Sequence, residues 1–219
     1  MLHHAMKHMY NVENEKSMTF FEKVLEYDPS LFGHHVVLAV FSIDGSEKQK
    51  MHIQKAKELV ADNNETSKIF VSLLDLPKGG NWPLVTQGAH DLWSKMRELE
   101  PKGKLIHYYY AFTIPDANDR IKEMELLLSE LRDLEGDSNS LPTSGDHSYM
   151  IPPIINSLAY FYYGIGEKEK AKTHFDEYLS LYKGYNAYDS MGEFYYNEGD
   201  MENALKYYNK AIEMYPPAT

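Results

Sequence analysis

Two histidines one helical turn apart, near the start of the sequence, are candidate metal ligands. The sequence has ten histidines, and His4 and His8 stand four residues apart. Two such imidazoles can bind zinc, but a catalytic zinc site usually has a third protein ligand and an open position for water. The HExxH arrangement that would add a general base is missing. We therefore predict no metal or other cofactor, and keep a metal-dependent enzyme or small-molecule binder on a helical solenoid as the alternative function.

Two further short stretches contain residue types that occur at catalytic or phosphate-binding sites. Ser144, Asp146 and His147 include the types of a catalytic triad, but they crowd one loop-like stretch, whereas triad members are held rigidly from converging positions. Gly164 and Gly166 lack the third glycine of a phosphate-binding loop, and they follow a helical pattern rather than a strand. We therefore predict that the protein is not an enzyme.

Composition excludes several classes of function. The 219 residues carry a net charge of −11, which argues against nucleic acid as a partner, because phosphates require a basic face. The absence of cysteine excludes disulfides, thiolate catalysis and cysteine-ligated zinc. No apolar run approaches the roughly 18 residues of a membrane helix, so we expect no membrane insertion. The first ten residues lack the apolar region of a secretory signal, and the compartment remains open.

The clearest evidence for helices lies at the end of the sequence, where two helical patterns meet. Gly199 suits a left-handed C-cap of the first helix, and Asp200 suits the N-cap of the second. Small residues at Gly192 and Ala204 allow the two antiparallel helices to approach closely, with tyrosines filling the space beside the contact. The residues that recur at helical spacing are Tyr188, Met191, Gly192, Tyr195, Ala204, Tyr208 and Ala211, and Pro216 ends the second helix.

This arrangement resembles the tetratricopeptide repeat, whose pattern is W-x2-L-G-x2-Y followed by alanine, an aromatic residue and proline. In residues 188–217 the first aromatic of the pattern is Tyr188 rather than tryptophan. A single repeat cannot bury its own apolar face, so neighbours are expected. The preceding hairpin matches well, through Ile155, Leu158, Ala159, Tyr162, Ala171, Phe175 and Tyr178.

The resemblance predicts an all-α fold, a right-handed α-α superhelix or solenoid of about six hairpins. Degenerate forms of the pattern fill residues 1–134, and the fourth of these hairpins lacks the small-residue contact. Residues 135–148 are rich in Gly, Ser, Asp and Asn, and they read as a loop insertion before the two well-kept repeats of 149–219. We expect one continuous solenoid. Its predicted hairpins lie near residues 1–29, 30–63, 64–101, 102–135, 149–183 and 184–217.

The resemblance also implies a function. In proteins of this family, the first helices of successive repeats line a concave groove that binds a peptide segment, so a non-catalytic protein-interaction module or assembly scaffold is expected here. The matching peptide-binding positions are Asn156, Tyr160, Tyr163, Asn186, Asp189, Glu193, Tyr196 and Asn197. Family members that hold a C-terminal carboxylate use Lys, Arg and Asn, whereas Asp189 and Glu193 would repel one. We therefore expect a cationic or neutral partner rather than an acidic one.

The last helix predicts a second contact surface. Between about Met201 and Tyr215 it carries two apolar stripes, and its own first helix can cover only part of them. Apolar strips left in water usually mark contact sites. We expect this helix to pack against another copy of the chain, or against a further part of a longer chain. The residues expected to make that contact are Leu205, Tyr208, Ile212 and Tyr215.

Overall fold

A computed structural model describes residues 2–77, 86–136 and 148–215, and within these ranges every regular element is helical. None of the described helices is long and apolar enough to cross a membrane. Residues 137–147, which include Ser144, Asp146, His147 and most of the predicted loop insertion, lie outside the described residues. The helices are α1 Leu2–Tyr10, α2 Asn14–Tyr27, α3 Phe32–Phe41, α4 Glu47–Leu59, α5 Glu65–Ser72, α6 Gln87–Leu99, α7 Lys104–Thr113, α8 Ala117–Gly136, α9 Ile151–Gly164, α10 Lys168–Leu181, α11 Tyr185–Asn197 and α12 Met201–Met214.

Local capping explains where several helices begin and end. The Asp200 carboxylate accepts a hydrogen bond from the Asn203 backbone N–H at 3.1 Å, and Gly199 before it adopts a φ of 80°. Both capping predictions for the last hairpin are therefore confirmed. Ser46 caps α4 in the same way, since its hydroxyl accepts from the Gln49 N–H at 3.2 Å. The Gln49 side chain reaches back to the N–H of Gly45 rather than to that of Ser46.

The chain divides into two compact units, and the first comprises Met1–Met9 and Glu13–Asp116. Ala5, Phe21 and Leu38 form a small core between its first three helices. A second cluster joins α3, α4 and the segment that begins with α5, through Val36, Ala39, Ala56, Val60, Val71 and Leu74. Further along, the ring of Trp93 on α6 stacks on that of Tyr109 on α7, with centroids 4.8 Å apart.

The second unit comprises Tyr10–Val12 and Ala117–Thr219, so the division falls between α7 and α8. These two helices make up the predicted fourth hairpin, the one without the small-residue contact. Within the unit, α8 packs on α9, and α9 with α10 and α11 with α12 form antiparallel hairpins. Ala159, Ala171, Gly192 and Ala204 are buried between helices, as expected for sites of close approach.

The closest approach in the last hairpin lies at Gly192. A Cβ atom added there would stand 2.7 Å from Cδ1 of Tyr208, so this ring lies directly over the glycine. The other tyrosine predicted beside this contact, Tyr195, stacks on Tyr207 with centroids 5.4 Å apart. Gly192 has an ordinary helical backbone, so its backbone conformation does not require glycine. Glycine is required there because the Tyr208 ring leaves no space for a side chain.

Candidate functional site

The predicted peptide-binding residues lie on the two first helices of the last two hairpins, α9 and α11. On each helix the main positions recur at steps of four and three, so they share one side. We call this surface the first-helix face. It comprises Asn156, Tyr160 and Tyr163 on α9, with Asp189, Glu193 and Tyr196 on α11.

The Tyr160 hydroxyl joins the two helices across this face. The Tyr160 hydroxyl donates to Oε2 of Glu193 at 2.7 Å, and the residues are 33 positions apart, about one repeat. Burial raises the pKa of Tyr160, and the carboxylates of Glu193 and Asp189 raise it further while a hydrogen bond with Ser190 opposes them. The phenol is therefore a neutral donor, held in place by edge-on packing against Phe175 at 5.0 Å.

Two carboxyl groups on the first-helix face have no cationic partner among the described residues. Asp189 and Glu193 are one turn apart on α11, and neither forms an ion pair in that part of the chain. Partial desolvation raises the pKa of Asp189, and the charge of Glu193 raises it further. An arriving cation would relieve that repulsion, so the face is suited electrostatically to a positively charged group.

Asn156 supplies the third feature of the face. Its side chain is half-buried, and its Oδ1 atom is buried without a hydrogen-bond partner in the described structure. Buried polar atoms in folded proteins are nearly always paired, because an unmade hydrogen bond leaves the cost of desolvation uncompensated. The residue as a whole is only half-buried, so the accessible part of its amide can hydrogen-bond the backbone of an extended chain.

Other residues predicted for this face have hydrogen-bond partners that the sequence pattern did not predict. The Tyr163 hydroxyl donates to Glu198 at 2.9 Å, and Lys168 pairs with the same carboxylate at 2.7 Å. The Asn186 amide donates to the Tyr178 hydroxyl at 3.0 Å, which engages it inside the hairpin stack. Tyr196 and Asn197 remain exposed near the end of α11. No spacing rule within one helix reveals Lys168, Ser190 or Glu198 as partners, because each contact crosses to another helix.

The histidines do not assemble a metal centre in the part of the chain that the structure describes. No group of three or more His, Asp or Glu side chains there could hold an ion. His4 and His8 instead stack on Phe20, with ring centroids 5.8 and 5.5 Å from it, and His8 also pairs with Glu13. Ring packing and a hydrogen bond thus engage the two histidines whose spacing suggested zinc.

The predicted self-association residues lie on α12 and just after it. Leu205 is 62% exposed, Ile212 is 71% exposed and Tyr215 is 42% exposed, whereas Tyr208 is half-buried against Gly192. Large apolar side chains are thus presented to solvent along this helix.

The described fold is an all-α array of helical hairpins with an amphipathic, acidic first-helix face. Comparison gives the last hairpin a family: residues 185–217 match the tetratricopeptide repeat model, which confirms the predicted family at its best-kept repeat. No curated protein matches the chain significantly. Two similar solved structures carry the titles "Crystal structure of MamA" and "Crystal structure of MamA protein". The first has a TM-score of 0.41 and 17% identity, and the match covers 96% of this chain and 93% of that one. The second has a TM-score of 0.40 and 16% identity, with 97% and 88% covered.

Proposed function

We propose that the protein is a non-catalytic interaction module whose first-helix face binds a protein segment carrying cationic or neutral side chains. The observation that carries this proposal is the pair of carboxyl groups, Asp189 and Glu193, which have no cationic partner among the described residues. The tetratricopeptide repeat at residues 185–217 supports protein binding in general, since this repeat serves protein–protein contacts.

Each feature of the face has a part in binding. A lysine or arginine of the ligand sits between Asp189 and Glu193, where charge-assisted hydrogen bonds contribute roughly 1.5–3 kcal/mol each. The half-buried amide of Asn156 hydrogen-bonds the backbone of the bound segment. Tyr160 and Tyr196 offer flat contact area with a polar tip. Because the carboxylates lie near the surface, added salt weakens binding.

A peptide-array experiment tests the proposal without knowledge of the natural partner. The full chain is bound to short synthetic peptides of matched length that are basic, neutral or acidic. Wild type should bind a subset of basic or neutral peptides, while Asp189→Lys with Glu193→Lys should reverse the preference for charge. The matched control is Asp62→Lys with Glu98→Lys, which changes net charge equally at two exposed positions of the first unit. If both double variants shift binding equally, the effect is one of net charge, and the site proposal is wrong.

A second variant tests the uncharged part of the face. Asn156→Ala should weaken binding of the selected peptides about tenfold, which corresponds to the roughly 1.4 kcal/mol of one hydrogen bond. Asn63→Ala, which alters an exposed asparagine of the first unit, should leave binding unchanged. Equal affinity of the Asn156 variant and wild type would remove this residue from the site.

A further inference from the structure

The apolar residues exposed on α12 follow a regular spacing. Met201, Leu205, Tyr208 and Ile212 succeed one another at steps of four, three and four, which is the spacing of a helix–helix seam. We call these four residues the α12 seam. Met201, Leu205 and Ile212 are 55%, 62% and 71% exposed, so no described helix covers them.

The preceding hairpin shows what normally covers such a face. On α10 the aromatic residues Phe175 and Tyr178 are buried, and Phe175 contacts Phe194 of α11 at a centroid distance of 5.6 Å. Tyr208 occupies the repeat position of Phe175, yet it remains half-buried. By analogy with α10, a helix with an apolar stripe would fit the α12 seam.

The seam is symmetric about its own midpoint, between residues 206 and 207. Met201 and Ile212 are equally far from that point along the helix, and so are Leu205 and Tyr208. If a second copy of α12 runs antiparallel to the first, Met201 lies beside the second copy's Ile212, and Leu205 lies beside the second copy's Tyr208. Each contact then occurs twice, as a two-fold interface requires.

The residues beside the seam are compatible with this pairing. On the side away from Ala204 and Ala211 the exposed neighbours are Glu202 and Asn209. The antiparallel arrangement brings Glu202 near the second copy's Asn209, so the contact joins a carboxylate and an amide rather than two like charges. Beyond the seam, the ring of Tyr215 packs edge-on against that of Tyr185, with centroids 4.6 Å apart. The surface available to a second copy therefore ends before Tyr215.

We infer that α12 docks antiparallel on α12 of a second copy, across a two-fold axis near residues 206 and 207. The helix has 14 residues and is therefore about 21 Å long. A single helix pair of that length buries less than the roughly 1,200–2,000 Å² of a standard stable interface. The dimer is accordingly reversible and depends on concentration.

Sedimentation velocity tests the dimer on the full chain. From about 1 µM to about 1 mM, the sedimentation coefficient of wild type should rise toward that of a dimer. Leu205→Glu with Ile212→Glu should stay monomeric, with circular dichroism to verify that it folds. The matched control is Leu181→Glu with Ile43→Glu, which makes the same two changes at residues 54% and 82% exposed, and it should behave as wild type. A wild type that stays monomeric throughout, or a seam variant that dimerises normally, overturns the proposal.

Cysteine cross-linking tests the geometry, because the natural chain has no cysteine. A mixture of Met201→Cys and Ile212→Cys proteins should form a disulfide-linked heterodimer under mild oxidation. Each variant alone should not, because identical positions are then separated by roughly 16 Å along the helix axis, beyond disulfide reach. Cross-linking of Met201→Cys alone would indicate parallel pairing and contradict the inference. Monomers in every sample would contradict it as well, and would leave a different protein or a further part of a longer chain as the occupant of the seam.

Discussion

Replacing Gly192 by alanine tests the packing of the last hairpin at its closest point. Alanine normally stabilises a helix interior relative to glycine, by about 1 kcal/mol. At Gly192 the new methyl group would lie 2.7 Å from Cδ1 and 2.9 Å from Cε1 of Tyr208. Carbon atoms pack best at about 3.5–4.0 Å, so the ring or the helix must move by roughly 1 Å. We expect this displacement to outweigh the gain in helix propensity.

The magnitude follows from two opposing contributions. Overpacking a well-filled contact typically costs about 1–3 kcal/mol, and the change from glycine to alanine returns about 1 kcal/mol. The free energy of unfolding should therefore fall by about 0–2 kcal/mol. Gly164 provides the control, because it is also helical and has nothing within 4 Å of an added Cβ. Gly164→Ala should be neutral or stabilising by up to about 1 kcal/mol, so the two variants should differ by up to about 3 kcal/mol in their free energy of unfolding.

Urea unfolding followed by far-UV circular dichroism measures both variants. A double-mutant cycle adds a direct test, because Tyr208→Ala removes the ring that the new methyl group would meet. In that background Gly192→Ala should cost at least about 1 kcal/mol less than in wild type. If Gly192→Ala stabilises the protein as much as Gly164→Ala does, the Tyr208 ring does not exclude a side chain at residue 192. Leucine at Gly192 should be more destabilising than alanine, since it adds a larger side chain at the same point.

Two further predictions concern a buried histidine pair and a helix cap. His52 and His35 are buried with their Nδ1 atoms 2.8 Å apart, and burial, aided by the charge of His35, lowers the pKa of His52 to about 4. His52 of the unfolded chain therefore binds a proton more tightly than His52 of the folded chain. The free energy of unfolding keeps its full value above about pH 6.5 and decreases as the pH falls toward 4, with a loss of about 2 kcal/mol at about pH 5. Urea midpoints from tryptophan fluorescence should show this loss, since both tryptophans, Trp82 and Trp93, fall within the sequence range of the first unit. His52→Gln should reduce the loss, and equal midpoints at about pH 7.5 and about pH 5 would contradict it. Asp200→Ala removes the bond to the Asn203 N–H and should cost about 0.5–2 kcal/mol in the same urea assay with circular dichroism, and an unchanged midpoint would exclude a stabilising cap.

Much of the local structure could be predicted from the sequence because it depends on neighbouring residues. Apolar spacing predicted helices in the six expected pairs, and the α-helices of the described ranges fall within those six segments, except that α8 continues to Gly136, one residue beyond the fourth segment and into the predicted loop insertion. The end of α11 and the start of α12 were predicted from Gly199 and Asp200, since a left-handed glycine and a capping carboxylate act within one turn. The small residues were recognised for the same reason, as members of a repeat pattern that matches residues 185–217.

Contacts between side chains of different hairpins are seen only in the tertiary structure. Tyr160 was predicted for the first-helix face, but its bond to Glu193 depends on how α9 and α11 lie beside each other, 33 residues apart. Asn186 was predicted for the same face, yet its amide bonds to Tyr178. The division between α7 and α8 was likewise absent from the prediction of one continuous solenoid, which stays a prediction. Helix formation follows from contacts within a few residues. The pairings between helices depend instead on side-chain rotamers and on how closely separate helices approach, and the periodicity of one helix does not predict either.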